Sequence, residues 1–141
     1  MNKVKDDPYE IEGDGGNVAV YVTNEGVILV DDKYEQDYDQ IMSKVKSVTN
    51  QPIRYIPSPH YHADHSGGNT RFAANTEIIS TLNAHNNIVN KVQSNPPPNM
   101  IPARVTFMQE SDVFLGGKHV QALIRQGKTQ DDIAKVNDRR I

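Results

Sequence analysis

The chain has 141 residues, 36% hydrophobic and 23% charged, with 18 acidic against 15 basic side chains and a formal net charge of −3. That size and apolar share suit one domain with a real core, and the acidic balance speaks against a nucleic-acid reader. There is no cysteine, so disulfides and thiol catalysis are excluded, and any metal site must be built from nitrogen and oxygen ligands.

The first seven residues, Met1 to Asp7, lack the apolar core of a signal peptide, and no run approaches the roughly 20 apolar residues of a membrane-spanning helix. As written the chain is expected in the cytoplasm, or outside it if a signal peptide has been removed. Residues 13–16, Gly-Asp-Gly-Gly, read as a turn, because neither GxGxxG spacing nor a following Lys-Ser/Thr supports a phosphate cradle. Residues 17–23 are β-rich, Asn24-Glu25-Gly26 supplies turn chemistry, and Val27-Ile28-Leu29-Val30 is a continuous apolar strand, so the spacing predicts a hairpin. It runs into Asp31-Asp32. Such pairs are mostly solvated turn residues, although a strand end is also where functional groups gather.

Tyr38, Ile41, Met42, Val45 and Val48 recur at helical spacing between charges, which predicts an amphipathic helix over about 35–48 whose apolar stripe faces a sheet. Pro52 ends it, and Ile53-Arg54-Tyr55-Ile56 forms a short strand that delivers the chain to Pro57-Ser58-Pro59, a stiff and extended link. Immediately afterwards come His60, His62, Asp64 and His65. Three of the five histidines and a carboxylate fall within six residues, which is the density of a metal site. In extended backbone residues i and i+2 share a side, so His60 and His62 can grip one ion while Tyr61 points away. Asp64 and His65 can face the same ion or a second one beside it, and four ligand candidates from one loop suggest a two-metal centre. Gly67-Gly68 is expected to turn the chain back. A surface cluster or an expression tag is the bland alternative, but tags are terminal and uniform.

Beyond the loop, residues 69–75 read as a short helix, Glu77-Ile78-Ile79-Ser80 as a strand, and 82–92 as a helix carrying His85, a capping or packing residue and not a ligand. Residues 94–99 form a proline-rich loop that rims a pocket or simply crosses the surface. Val105-Thr106-Phe107-Met108, Val113-Phe114-Leu115 and 118–124 read as strands joined by tight turns, with His119 facing solvent. Thr129 with Asp132 looks like a helix cap, and Ile133 and Val136 share a helical face, which together predict a helix over about 130–137.

His60-x-His62-x-Asp64-His65 followed by Ser66-Gly67-Gly68-Asn69 resembles the HxHxDH signature of the metallo-β-lactamase superfamily. The resemblance spans about residues 15–123, and Ala84-His85-Asn86-Asn87 also resembles the family. It implies an α/β (α+β) fold, the αββα sandwich, about half of it present as a mixed sheet flanked by helices, in one domain over 1–141 with a divergent tail at 125–141. It further implies one or two Zn²⁺ ions on His60, His62, Asp64 and His65, Asp64 also orienting the nucleophile as the catalytic residue, and Asp31 behind the ligands. The implied activity is hydrolysis of an amide or ester bond in a small molecule through a metal-bound hydroxide.

Two departures from the family stand out. Pro59 stands where it has Thr, and Lys128 where it has the third His; an ammonium cannot ligate and repels a cation nearby, so Lys128 serves beside the site only if deprotonated or carbamylated, or else points to solvent. A half-sandwich lacking its second sheet would expose an apolar face, which leads to the expectation of a self-associating chain, a homodimer. The alternative function is an inactive or redesigned half-domain that binds metal at most and self-associates.

Overall fold

The computed structural model describes residues 2–3, 9–12, 17–58, 60–92, 100–124 and 134–140. The turn expected at 13–16, Pro59, the proline-rich loop at 94–99 and Lys128 lie outside them.

A seven-stranded sheet runs in strict sequence order from β1 (Asn2–Lys3) through β2 (Tyr9–Ile11), β3 (Val18–Thr23), β4 (Gly26–Val30), β5 (Ile53–Pro57) and β6 (Glu77–Thr81) to β7 (Val105–Phe107). The expected hairpin is β3 against β4, antiparallel, with Thr23 opposite Gly26. From β4 onward the pairing is parallel, so every connection must cross over the sheet, and helices make those crossings. A 3₁₀ turn at Glu35–Asp37 leads into α1 (Tyr38–Lys46), whose Asp39 and whose Lys44 and Lys46 complement the helix dipole at its two ends. The short helices α2 (Ala63–Ser66) and α3 (Asn69–Phe72) join β5 to β6.

The next helix, α4 (Leu82–Val89), starts where the Thr81 hydroxyl accepts the Ala84 N–H at 2.9 Å. It closes earlier than the periodicity predicted, because Lys91 takes a left-handed φ of 54° and the Val92 N–H returns to the Asn87 carbonyl at 3.0 Å.

Alternation along the strands sorts the apolar side chains into two cores. Val18, Val20, Val27 and Leu29 face Ile41 and Val45 of α1, with Phe72 and Ile78 completing that layer. On the opposite face, Tyr21, Ile28, Ile79 and Phe107 pack against Val113, Leu115, Val120 and Ala122. Those four come from a second sheet, β8 (Glu110–Leu115), β9 (Lys118–Ile124) and β10 (Ala134–Arg140), in the order β10-β9-β8. Each Val, Leu, Ile or Phe among them contributes about 1.5–3 kcal/mol by leaving water.

The inner face of the large sheet packs against this second sheet, while Met108 and Phe114 stay exposed. One expectation changes here. The tail over 134–140 is a strand, not part of a helix, paired antiparallel with β9 from Ala134 opposite Ile124 to Arg140 opposite Lys118. Beyond the first turn, Val136 offers a helix little to bury, whereas the free edge of β9 presents a row of N–H and C=O groups that seven extended residues satisfy.

Candidate metal centre

Four parallel strands end on one side of the sheet, and the chain places its acids and histidines at the carboxyl ends of β4 and β5, where open α/β sheets gather functional groups. After β4 the backbone bends sharply: Asp31 and Lys33 both have positive φ, 67° and 59°. The bend is fastened to its neighbours by Asp31 N–H to Pro57 O at 3.0 Å, Asp32 N–H to His65 O at 3.1 Å and Gly68 N–H to Lys33 O at 3.0 Å. The histidine loop is thereby stitched to the end of β4 on both sides of α2.

Gly67 and Gly68 serve that contact. Their φ values, −63° and −70°, are ordinary helical ones, so turn geometry does not require glycine. Space does: a Cβ at Gly68 would lie 2.5 Å from the Asp32 carbonyl oxygen and 2.9 Å from its carboxyl carbon, and one at Gly67 would lie 3.1 Å from the Lys33 carbonyl oxygen.

His60 and His62 fall on one side as the i, i+2 spacing predicted. Their rings meet edge to face with centroids 4.3 Å apart, and His60 Nε2 faces His62 Nδ1 at 2.5 Å, shorter than an ordinary hydrogen bond. Tyr61 is buried, packed with Ala84, Ile88 and Met100. The His65 ring stands edge-on to His60 with centroids 4.9 Å apart. Its Nδ1–H donates to Asp31 Oδ2 at 3.0 Å, and its Nε2 lies 3.6 Å from Asp64 Oδ2.

The acids behind this cluster are not solvated, against the commoner outcome for an Asp-Asp turn. Asp31 is 7% exposed and Asp32 wholly buried, with Lys33 buried beside them. Burial pushes the Asp31 carboxyl up from its ordinary value, and the hydrogen bond and charge of His65 counter this. Asp31 in turn raises His65 through that hydrogen bond, with desolvation opposing. Asp32 is driven well up by burial and by the neighbouring Asp31; neither of its oxygens has a hydrogen-bond partner, and the Gly68 N–H, committed to Lys33, offsets little. Sequence reasoning missed Ser58, which is 1% exposed with its Oγ 3.3 Å from Asp31 Oδ1. Nothing in Pro-Ser-Pro distinguishes a buried, engaged hydroxyl from a surface one.

The two remaining histidines stand apart from this cluster. His85 Nδ1–H donates to the Ala103 carbonyl at 2.7 Å, the packing role expected of it. His119 is not simply in solvent: it stacks on Phe114 with centroids 4.3 Å apart and bonds Asp112 at 2.7 Å. Two clefts lined by described residues, of about 430 and 370 Å³, lie near the start of β5 and β6, around Ile53 and Glu77, and contain none of the histidines.

Among the described residues no three His, Asp or Glu side chains stand in an arrangement ready to hold a metal ion. The donor chemistry nevertheless fits a first-row divalent cation. His60 and His62 bring a nitrogen each against the other, and His65, engaged through Nδ1 by a carboxylate, has Nε2 beside Asp64, so imidazole and carboxylate donors of the kind such ions take are gathered here.

No family model and no curated protein matches the sequence, whereas solved structures match throughout. The subclass B3 metallo-β-lactamase BJP-1 of Bradyrhizobium japonicum aligns with a TM-score of 0.75 at 19% identity, over 94% of this chain and 54% of its own. A Cronobacter sakazakii metallo-β-lactamase described by its HARLDQ motif aligns at 0.73 and 18% identity, over 93% and 54%. Metallo-β-lactamase IND-7 gives 0.68 and 18%, over 88% and 58%. The chain therefore has the metallo-β-lactamase fold, and it spans about half the length of these structures. The likeness carries no ligand set with it: HARLDQ shares with His60-Tyr61-His62-Ala63-Asp64-His65 only its first and fifth residues.

Proposed function

We propose that this chain is a metal-dependent hydrolase of the metallo-β-lactamase type, with His60, His62, Asp64 and His65 as the ligands of one or two Zn²⁺ ions. The observation that carries this reading is His65, held through Nδ1 by a buried aspartate 34 positions away, with its Nε2 3.6 Å from Asp64 and its ring edge-on to His60. A metal-ligating histidine has that partnership, because the carboxylate fixes the tautomer and raises the ligand's basicity. A surface cluster has no use for it. A divalent cation at such a site supplies an activated water and polarises the carbonyl under attack. The chain's own part is to hold His65 in one tautomer and to fix the loop against β4, while Asp64, half-buried beside His65, would help hold the ion and orient the water it activates.

The substrate class is an amide or ester bond in a small molecule. The test is hydrolysis of a chromogenic β-lactam and of a nitrophenyl ester by protein stripped with chelator and then reloaded with zinc. Zinc-restored turnover that His62→Ala abolishes is the expected result; equal rates with and without zinc would overturn the reading. The second reading is a domain that binds metal at most, without turnover. What favours it is the absence, among the described residues, of a cluster ready to hold an ion, and zinc bound without turnover in the same experiment would establish it.

A further inference from the structure

Asp31 orients His65, and Asp31 is itself held. Ser58 follows directly on β5, and its N–H donates to the Ile79 carbonyl of β6 at 2.7 Å, so the backbone there is pinned to the sheet. Its side chain is 1% exposed, and its hydroxyl lies 3.3 Å from Asp31 Oδ1 and 3.3 Å from the His65 carbonyl oxygen. One hydroxyl proton thus sits between two acceptors, one on the strand-end acid and one on the helical turn that carries His65. Asp31 is fixed from its other side as well, since its N–H donates to Pro57 O at 3.0 Å. The outcome is a chain of contacts from Ser58 through Asp31 to His65 Nδ1, with every member on an element anchored to the sheet.

We propose that Ser58 is a positioning residue of the histidine site: it holds the Asp31 carboxylate with Oδ2 toward His65, so that His65 keeps its proton on Nδ1 and presents Nε2 to a cation. This rests on the metal reading above for its purpose, but not for its test. A buried serine that merely fills space would tolerate alanine at no cost to His65, because the two side chains do not touch; they communicate only through Asp31 and the loop carbonyl. Here the alanine variant leaves Asp31 Oδ1 without the bond that sets the carboxylate's rotation, and Oδ2 is then free to swing off the ring nitrogen.

The experiment follows the imidazole nitrogens of the metal-free protein by ¹⁵N NMR, alongside zinc affinity by competition with a chelating dye, in wild type, Ser58→Ala and Ser58→Thr. The expected result is Nδ1–H at His65 in wild type and in Ser58→Thr, and a mixture of the two tautomers in Ser58→Ala with zinc bound about 10-fold more weakly. Should Ser58→Ala not fold, Ser58→Cys, whose thiol is a poor donor, takes its place with the same expectation. A His65 signal identical in wild type and the alanine or cysteine variant would overturn the role of Ser58, whatever zinc does. A tautomer that depends on Ser58 in a protein with no zinc affinity would uphold the role of Ser58 and sink the metal reading.

Discussion

The two arms of the histidine loop are built differently. His60 and His62 lie ahead of the helical turn, His62 on extended backbone, and their nitrogens face one another. His65 sits in a helical turn, with its Nδ1 engaged by Asp31, its carbonyl by the Asp32 N–H and the Ser58 hydroxyl, and the following Gly68 tied to Lys33. One arm is arranged by spacing, the other by the fold. A short sequence motif can therefore specify which side chains gather in both arms, but fixes their orientation only where a distant element arrives to grasp them.

The sharpest way to erase the contrast is Asp31→Asn, which leaves His65 with a neutral partner. Zinc affinity measured by chelator competition should drop about 10–100-fold, with the fold kept; an unchanged affinity would mean that the grasp on His65 is irrelevant to the cation. Gly68→Ala attacks the stitching itself, since the new Cβ would sit 2.5 Å from the Asp32 carbonyl oxygen, which is backbone and cannot rotate aside. A loss of about 1–3 kcal/mol in urea unfolding is expected, and a neutral result would show that the loops approach less closely than described.

A gain is expected from Asp32→Asn, of about 1 kcal/mol near neutral pH, because the buried carboxylate has no hydrogen-bond partner. Folding holds its proton above the 3.8 of an ordinary aspartate, so the folded state binds more protons than the unfolded one, and stability falls as pH rises from there. The asparagine variant should lack that fall in a series of thermal melts against pH.

The smallest effect expected is the pH slope of His65 in the metal-free protein. Asp31 raises this imidazole above 6.5, so its contribution to stability is complete below that pH and is lost as pH climbs through the raised value. Asp31→Asn should flatten the slope in that window alone.

Much of this was legible beforehand because periodicity is a strong signal. The hairpin, the α1 stripe, the strand before the histidines and the His60/His62 pairing all follow from alternation or 3.6-residue spacing. The tail departs from its expectation because Thr129 and Asp132 give a local capping signal, while what decides residues 134–140 is the edge of β9, which no local window contains. The resemblance points to Asp31 behind the histidines, where it bonds His65, but the same limit hides the burial of its neighbours. Asp31-Asp32-Lys33 is a polar string, and only the packing of β4 against the loop makes it buried. Gly67-Gly68 reads as turn chemistry, yet what requires glycine at Gly68 is the approach of Asp32, a residue more than 30 positions away, and at Gly67 the Ala63 carbonyl together with Lys33 and Tyr34.

The metal centre is tested by zinc content per chain, measured on protein purified without chelator and on the His60→Ala, His62→Ala double variant. One or two ions per wild-type chain and none in the variant are expected. Zinc near zero in the wild type, or equal in both proteins, would contradict the metal reading.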